Sequence, residues 1–190
     1  YQSSISGGFT AVGLQPTQNP SRDQKADILF CINAAKKSGI NVIPYGAISK
    51  GLQGKQLAEM FDMYSSGALA FSDNMNPVKH PGLFSRAVLY AKNFNGLIIS
   101  FPYDNSMVPN GQINEGIAST KLGLEGIPDL TEEIMVNRDL SINQYHEGRL
   151  HFNIISSKKT VDLIKGAKKK QPKISCGTSI FHLLFDEQQL

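Results

Sequence analysis

The sequence predicts an α/β protein built around a parallel β-sheet. Three observations indicate this class. Short apolar runs recur about every 25 to 30 residues, helical patterns lie between most of them, and each run is continuous rather than alternating. A continuous apolar run is typical of a parallel strand that is covered on both faces.

Six runs are predicted as strands: "GFTAVGL" (8–14), "NVIPYGAI" (41–48), "ALAFS" (68–72), "LIISF" (97–101), "LHFNII" (150–155) and "PKISCGT" (172–178). In an α/β fold the loops that follow such strands carry the chemistry, because the strand ends converge on one side of the sheet.

The segments between the runs have helical spacing. A helix is predicted over 23–38 with Gly39 as its stop, and others over 129–147, after Pro128 with Asp129 or Thr131 as N-cap, and over 158–170, capped by Ser156 or Ser157. Two further apolar stripes predict helices: Leu57, Met60, Phe61 and Tyr64, ended by Gly67; and Leu83, Phe84, Ala87, Val88 and Ala91.

Two architectures fit this order of elements. One is an open, doubly wound sheet, and the other is a (β/α)8 barrel that lacks two strands. No GxGxxG follows a strand, and "GLQGK" (51–55) lacks phosphate-loop spacing, so nucleotide-binding markers are absent from the sequence. The gap 102–149 contains the segment "NSMVPNGQINEGIASTKLGLEGIP", which predicts an irregular excursion over the strand ends.

Composition narrows the functional classes. The chain has 190 residues, a net charge of +3 and a hydrophobic share of 41%. This charge gives no reason to expect nucleic-acid or membrane binding, and the run "KGAKKKQPK" reads as a solvated helix end. Cys31 and Cys176 lack metal or redox spacing, so we expect reduced thiols and a cytoplasmic location.

Several stretches resemble dihydroorotase, a metal-dependent cyclic amidohydrolase of pyrimidine synthesis. "GGFTAVGLQPTQNPSRD" is similar to that family's Gly-Gly-Phe-Thr strand and Asn-Thr-Asn-Pro turn, and "PYGAISKGLQGKQLAEM" to its Gly-Ala-(Ile/Leu)-Thr-Lys-Gly segment. "GALAFSDNMNPV" is similar to its Ala-Phe-Ser-Asp-Asp-Gly strand end, and "INEGIASTKLGLEGIPDLTEEIMVNRDL" is the most specific match. The likeness covers essentially the whole chain.

The resemblance implies a (β/α)8 barrel of which this chain supplies strands two to seven. Residues 1–190 would then form one amidohydrolase-like barrel domain, incomplete at both ends. The strands at 8–14 and 172–178 would be open edges with unpaired backbone groups. We therefore expect either a truncated chain or a second chain that orders these edges.

The resemblance also points to the site, and four of its positions depart from the family. At the end of the strand 97–101, Phe101 stands where the family has a metal-binding His. Ile154 stands where the family has a second ligand His. The position of the family's bridging acid is Asn74, with Asp73 as the other candidate. Thr17 stands where the family has a substrate-contacting Asn. A phenyl or alkyl side chain has no lone pair for a metal, so we expect a degenerate site without catalytic residues, metal or other cofactor.

The remaining polar groups offer a pocket. Asn19, Tyr103, Asp104, His151 and His182 are its candidate members, and an approach of His151 to His182 on adjacent strands is the less favoured alternative for these two. Hydrogen-bonded core roles are favoured for these two histidines.

Two functions remain open, with a weaker third. The first is a catalytically inactive, dihydroorotase-like barrel with a structural role, bound to itself or to an aspartate carbamoyltransferase-type partner, as noncatalytic members of that family are. The second is an active, zinc-dependent dihydroorotase, converting dihydroorotate to carbamoyl aspartate, whose other ligands lie outside these residues. The third is an enzyme that uses the pocket without metal.

Overall fold

The computed structural model describes residues 2–36 and 38–186 as an α/β chain. Eight strands are present in this part: β1 (Ala11–Leu14), β2 (Asn41–Pro44), β3 (Ala70–Ser72), β4 (Leu97–Ser100), β5 (Ile113–Asn114), β6 (Gly126–Ile127), β7 (Arg149–Phe152) and β8 (Ile174–Cys176). Eight α-helices accompany them: α1 (Gln2–Ser6), α2 (Lys25–Ala35), α3 (Met60–Ser65), α4 (Pro81–Lys92), α5 (Ile117–Leu122), α6 (Leu130–His146), α7 (Lys158–Lys168) and α8 (Ile180–Leu184).

Six strands, β1 to β4 together with β7 and β8, follow one another in chain order, and every pairing among them is parallel. β1 pairs with β2, and β3, β4, β7 and β8 form a second sheet in that order. A bridge between Gly46 and Phe71 joins the two sheets, because the Gly46 amide donates to Ala70 and the Ser72 amide donates to Gly46. This order is the one expected for consecutive strands of a β/α barrel.

The core lies between the four-stranded sheet and the helices that follow its strands. α4 packs on α6, and α6 packs on α7. The largest fully buried side chains come from both layers and include Phe71, Ile98, Leu150 and Phe152 on strands and Leu83, Phe84, Val88 and Ile164 on helices. Burial of side chains of this size stabilises a fold by roughly 1.5–3 kcal/mol each.

The helix boundaries follow from the chemistry of the chain at their ends. Gly39 (φ +77°) and Gly67 (φ +110°) adopt the left-handed conformation after α2 and α3, which costs glycine nothing. His80 caps α4 by accepting a hydrogen bond from the Leu83 amide, beside Pro81. Asp129 and Ser157 occupy the expected N-cap positions of α6 and α7, although neither side chain makes a capping hydrogen bond.

The structure corrects two sequence expectations. Each predicted strand is shorter than its apolar run, since β1 begins at Ala11 rather than residue 8 and β2 ends at Pro44 rather than 48. The predicted excursion at 105–128 is also not irregular throughout. β5 and β6 pair in parallel there, with α5 between them.

None of the helices within the described residues has the length and apolar character that a membrane span requires.

Candidate functional site

The carboxyl ends of β4 and β7 bring two predicted site positions to the same edge of the sheet. Ile99 lies opposite His151 and Ser100 opposite Phe152 in the parallel register. The Asn153 amide continues the ladder by donating to Ser100 at 2.9 Å. Phe101, one residue beyond β4, and Ile154, two residues beyond β7, therefore follow their strands at the same edge of the sheet.

A cavity of about 250 Å³ opens at this edge, and we call it the mouth cavity. Phe101, Tyr103 and Ile154 line it from the loops after β4 and β7, and His182 lines it from α8. Its polar lining comes from the start of α6 and the start of α7, and includes Asp129, Glu132 and Ser157. The cavity thus combines an apolar side with an acidic side.

The apolar side of the lining contains an aromatic pair and a residue with a strained backbone. The rings of Phe101 and Tyr103 meet at 6.2 Å between centroids with an interplanar angle of 61°. Ile154 has φ +59°. A β-branched residue in this left-handed region is a genuine outlier, because its Cβ crowds the backbone.

Glu132 fixes the acidic side. Its carboxylate accepts hydrogen bonds from the Ser156 amide at 2.9 Å, the Ser156 hydroxyl at 2.9 Å and the Ser157 amide at 3.1 Å. A negative charge at a helix N-terminus is favourable, since the amides there lack intrahelical partners. Glu132 therefore links α6 to the start of α7 across the cavity.

Asp73 is buried and its oxygens are already occupied. One oxygen accepts from the Ile48 amide at 2.9 Å and the Ser49 amide at 3.0 Å, and the other accepts from the Ser49 hydroxyl. Burial raises the pKa of this carboxyl, and the hydrogen bonds from Ser49 and Ile48 partly offset the rise. Asp73 ties the segment after β2 to the end of β3.

The other positions after β1 and β3 differ in exposure. Asn74 is 5% exposed, and its side-chain oxygen has no hydrogen-bond partner among the described residues. Thr17 and Asn19 are exposed on the loop after β1, and neither lines the mouth cavity.

The structure separates the other expected pocket residues. Asp104 lies beside the cavity lining, and hydrogen bonds from Ser106 hold the pKa of its carboxyl below the usual value. His151 bonds Ser175 at 2.8 Å, and burial lowers its pKa, assisted by Lys168. The strand placement and the favoured core role are both wrong for His182, which lies exposed on helix α8 and bonds Ser179.

A buried ionic network just behind Phe101 escaped the sequence analysis. Asp139 on α6 accepts from the Ser100 hydroxyl at 2.6 Å and from Arg138 Nε at 2.8 Å. Arg138 also donates to the Lys79 carbonyl and lies over the Phe84 ring. Burial raises the pKa of Asp139 to about 6, against the opposing effect of Arg138. The network anchors the end of β4.

The donor set at the strand ends does not fit a metal centre. The positions after β4 and β7 carry a phenyl and an alkyl group, and Asp73, the buried acid after β3, already accepts three hydrogen bonds. Zinc binds nitrogen, sulfur and carboxylate ligands that are free to coordinate. Residues 2–36 and 38–186 contain no cluster of three or more His, Cys, Asp or Glu side chains positioned to hold a metal ion.

Comparison with known proteins decides the family. The family model described as "Dihydro-orotase-like" matches residues 2–160. The chain belongs to the dihydro-orotase-like family. It is 39% identical over 187 residues to a dihydroorotase of Acetivibrio thermocellus, and 40% identical over 178 residues to one of Ruminiclostridium cellulolyticum. These alignments cover 98% and 93% of this chain but 44% and 42% of those relatives, so the chain spans under half their length.

Solved structures show the same fold at low sequence identity. An L-hydantoinase (dihydropyrimidinase) from Arthrobacter aurescens matches with a TM-score of 0.70 and 17% identity, covering 94% of this chain and 41% of that one. A dihydroorotase from Saccharomyces cerevisiae, in complex with 5-fluoroorotic acid, matches with a TM-score of 0.72 and 12% identity, covering 97% and 52%. The dihydro-orotase-like chain is therefore a partial (β/α)8 barrel, as the resemblance implied.

Several residues at the site were not found from the sequence of this family member. The sequence patterns single out neither Glu132 nor Asp139, and they mark Ser157 only as a candidate N-cap. The segment "DLTEE" does carry a signal, because consecutive acids at a helix start are free to reach a neighbouring element. No local signal could show that the partner of Glu132 lies 24 residues further on.

The left-handed backbone at Ile154 generates a stability prediction. We expect Ile154→Gly to be more stable than Ile154→Ala by about 1 kcal/mol, because glycine has no Cβ to strain at positive φ. At a residue with negative φ the order is reversed. Urea denaturation of both variants measures the difference, with Gly and Ala substitutions at the exposed Ser156, two residues further along the chain, as reference. Equal stability, or a more stable Ala variant, would show that Ile154 carries no strain.

The raised pKa of Asp139 generates a pH prediction. Between the ordinary value of 3.8 and about 6 the folded protein keeps a proton that the unfolded chain releases, so the free energy of unfolding falls as pH rises through this interval and is level above it. The fall amounts to about 3 kcal/mol. Asp139→Asn should remove this share of the slope in urea denaturation, whereas Asp162→Asn, at an exposed position on α7, should retain it. An unchanged slope in Asp139→Asn would contradict the assignment.

Proposed function

We propose that this member of the dihydro-orotase-like family is a pyrimidine-pathway barrel whose own hydrolytic chemistry is lost, and that it acts by binding a partner. The observation that carries the proposal is that Phe101 and Ile154 line the mouth cavity at the two positions where the resemblance expects metal-binding histidines. Hydrolysis of a cyclic amide in this family depends on a metal that lowers the pKa of a bound water. A phenyl ring and an alkyl chain cannot supply that metal with ligands.

Asp73 supports the same conclusion from the opposite direction. A bridging carboxylate must keep its oxygens free for the cations. Here two backbone amides and one hydroxyl occupy both oxygens, and release of Asp73 would leave the amides of Ile48 and Ser49 unsatisfied in a buried place. Leaving buried groups unsatisfied costs about 1–3 kcal/mol each.

The partner proposed is an aspartate carbamoyltransferase-type enzyme or a second copy of this protein. The retained scaffold supports the choice of a binding role. The buried core and the parallel strand order are complete across the described part of the sheet, although Phe101 and Ile154 offer no metal donors at the mouth. Co-purification of the full-length protein with a carbamoyltransferase, or its self-association in sedimentation, checks the proposal. A full-length protein that stays monomeric and does not co-purify with a carbamoyltransferase would refute the proposal.

An active dihydroorotase is the second candidate. Identities of 39% and 40% to curated dihydroorotases favour it. It requires ligands from outside the 190 residues together with an unusual set inside them, and zinc as the metal.

Zinc content and turnover separate the two candidates. We expect the purified full-length protein to contain less than about 0.1 zinc per chain and to leave dihydroorotate unhydrolysed, because the mouth lacks donors. The double variant with Phe101→His and Ile154→His should retain more zinc after dialysis, since both imidazoles would enter the same edge. The control is Phe61→His with Leu89→His, at exposed positions on α3 and α4, which should not.

One or more zinc ions per chain in the unmodified protein, together with turnover of dihydroorotate, would establish the active enzyme and refute the proposal.

A further inference from the structure

We infer that the mouth cavity binds a small organic cation, an amine or amidine carried on an aromatic or apolar body. The inference rests on the proposed function, because a zinc pair at this place would supply the positive charge that the ligand otherwise brings. It follows from four properties of the lining: its charge, an unsatisfied hydroxyl, its aromatic side and its size.

The charge of the lining is negative. Asp129 and Glu132 contribute carboxylates, and the described residues around the cavity include no lysine or arginine. The neighbouring Glu133 is paired with Lys159 at 3.4 Å, whereas Glu132 makes no ion pair with the described part of the chain. The hydrogen bonds to Glu132 come from amides and a hydroxyl, which leave its charge uncompensated by any cation.

A buried hydroxyl in the same lining has no partner. Ser157 is 4% exposed, and its Oγ makes no hydrogen bond within the described residues, although Ser157 is the N-cap of α7. A buried hydroxyl without a partner is destabilising. Its lone pairs can accept a hydrogen bond from an ammonium or amidinium group. Ser157 lines the cavity, so its Oγ would serve a cation bound beside Glu132 once the side chain turns toward the cavity.

The apolar part of the lining suits the body of such a ligand. Phe101 and Tyr103 present aromatic surface, and Ile154 adds an alkyl group. The negative face of an aromatic ring attracts a cation, and it does so more strongly when the cation is desolvated. The volume of about 250 Å³ lies below the range of roughly 300–1,000 Å³ that is usual for drug-sized ligands. The occupant should therefore be a single-ring molecule.

The sign of the charge is the feature that can be tested. We would titrate the isotopically labelled full-length protein with benzylamine, benzyl alcohol and benzoate at neutral pH and follow the amide signals of Ile154 and Ser157. These probes share one ring and differ in charge. Benzylamine should bind at least about tenfold more tightly than benzoate, because a carboxylate would face two like charges.

Matched variants locate the binding. Asp129→Asn should weaken benzylamine binding about fivefold, and it leaves the fold intact because the Asp129 side chain is exposed and makes no capping hydrogen bond. Asp162→Asn, which removes the same charge from α7 outside the cavity, should leave the affinity unchanged. Benzoate binding as tightly as benzylamine, or an unchanged affinity in Asp129→Asn, would overturn the inference.

Zinc analysis of the same sample keeps the two proposals apart. A protein without zinc that fails to bind benzylamine would overturn the cation site and leave the proposed function standing. A protein that contains zinc and hydrolyses dihydroorotate would overturn the proposed function directly.

Discussion

The parallel hydrogen-bond register between β4 and β7 is the constraint on which the mouth depends. It sets Ser100 opposite Phe152, and the bond from the Asn153 amide to Ser100 carries the alignment one residue further. A shift of one residue would turn every following side chain to the other face of the sheet. Because the register holds, Phe101 and Ile154 lie at the same edge. The apolar character of that edge comes from these two side chains.

Carboxylates near this edge are used to hold the scaffold. Asp73 joins the ends of β2 and β3, Glu132 joins α6 to α7, and Asp139 joins β4 to α6 through Ser100. Each acid accepts hydrogen bonds from amides, hydroxyls or a guanidinium, which favours its buried charge. Acids committed in this way contribute stability and position to the scaffold around the mouth.

The buried strands and the apolar character of two mouth positions were predictable from the sequence, because both follow from residue type. Continuous apolar runs mark buried strands wherever they occur, and the inability of Phe101 or Ile154 to coordinate a metal is a property of the residue type alone. The excursion was not predictable, because β5 and β6 are two residues each and show no periodicity. The positive φ of Ile154 was hidden as well, since β-branched residues disfavour it. His182 was misplaced because its apolar neighbours suit a strand as well as a short helix.

We propose that the mouth carries apolar side chains where metal ligands are expected. Anomalous X-ray scattering from crystals soaked in zinc is a sharp test, since it locates the metal without relying on activity. No peak at the zinc edge is expected between the ends of β3, β4 and β7. A peak within coordination distance of Asp73, with ligands gathered around it beside Phe101 and Ile154, would show that the mouth still binds metal.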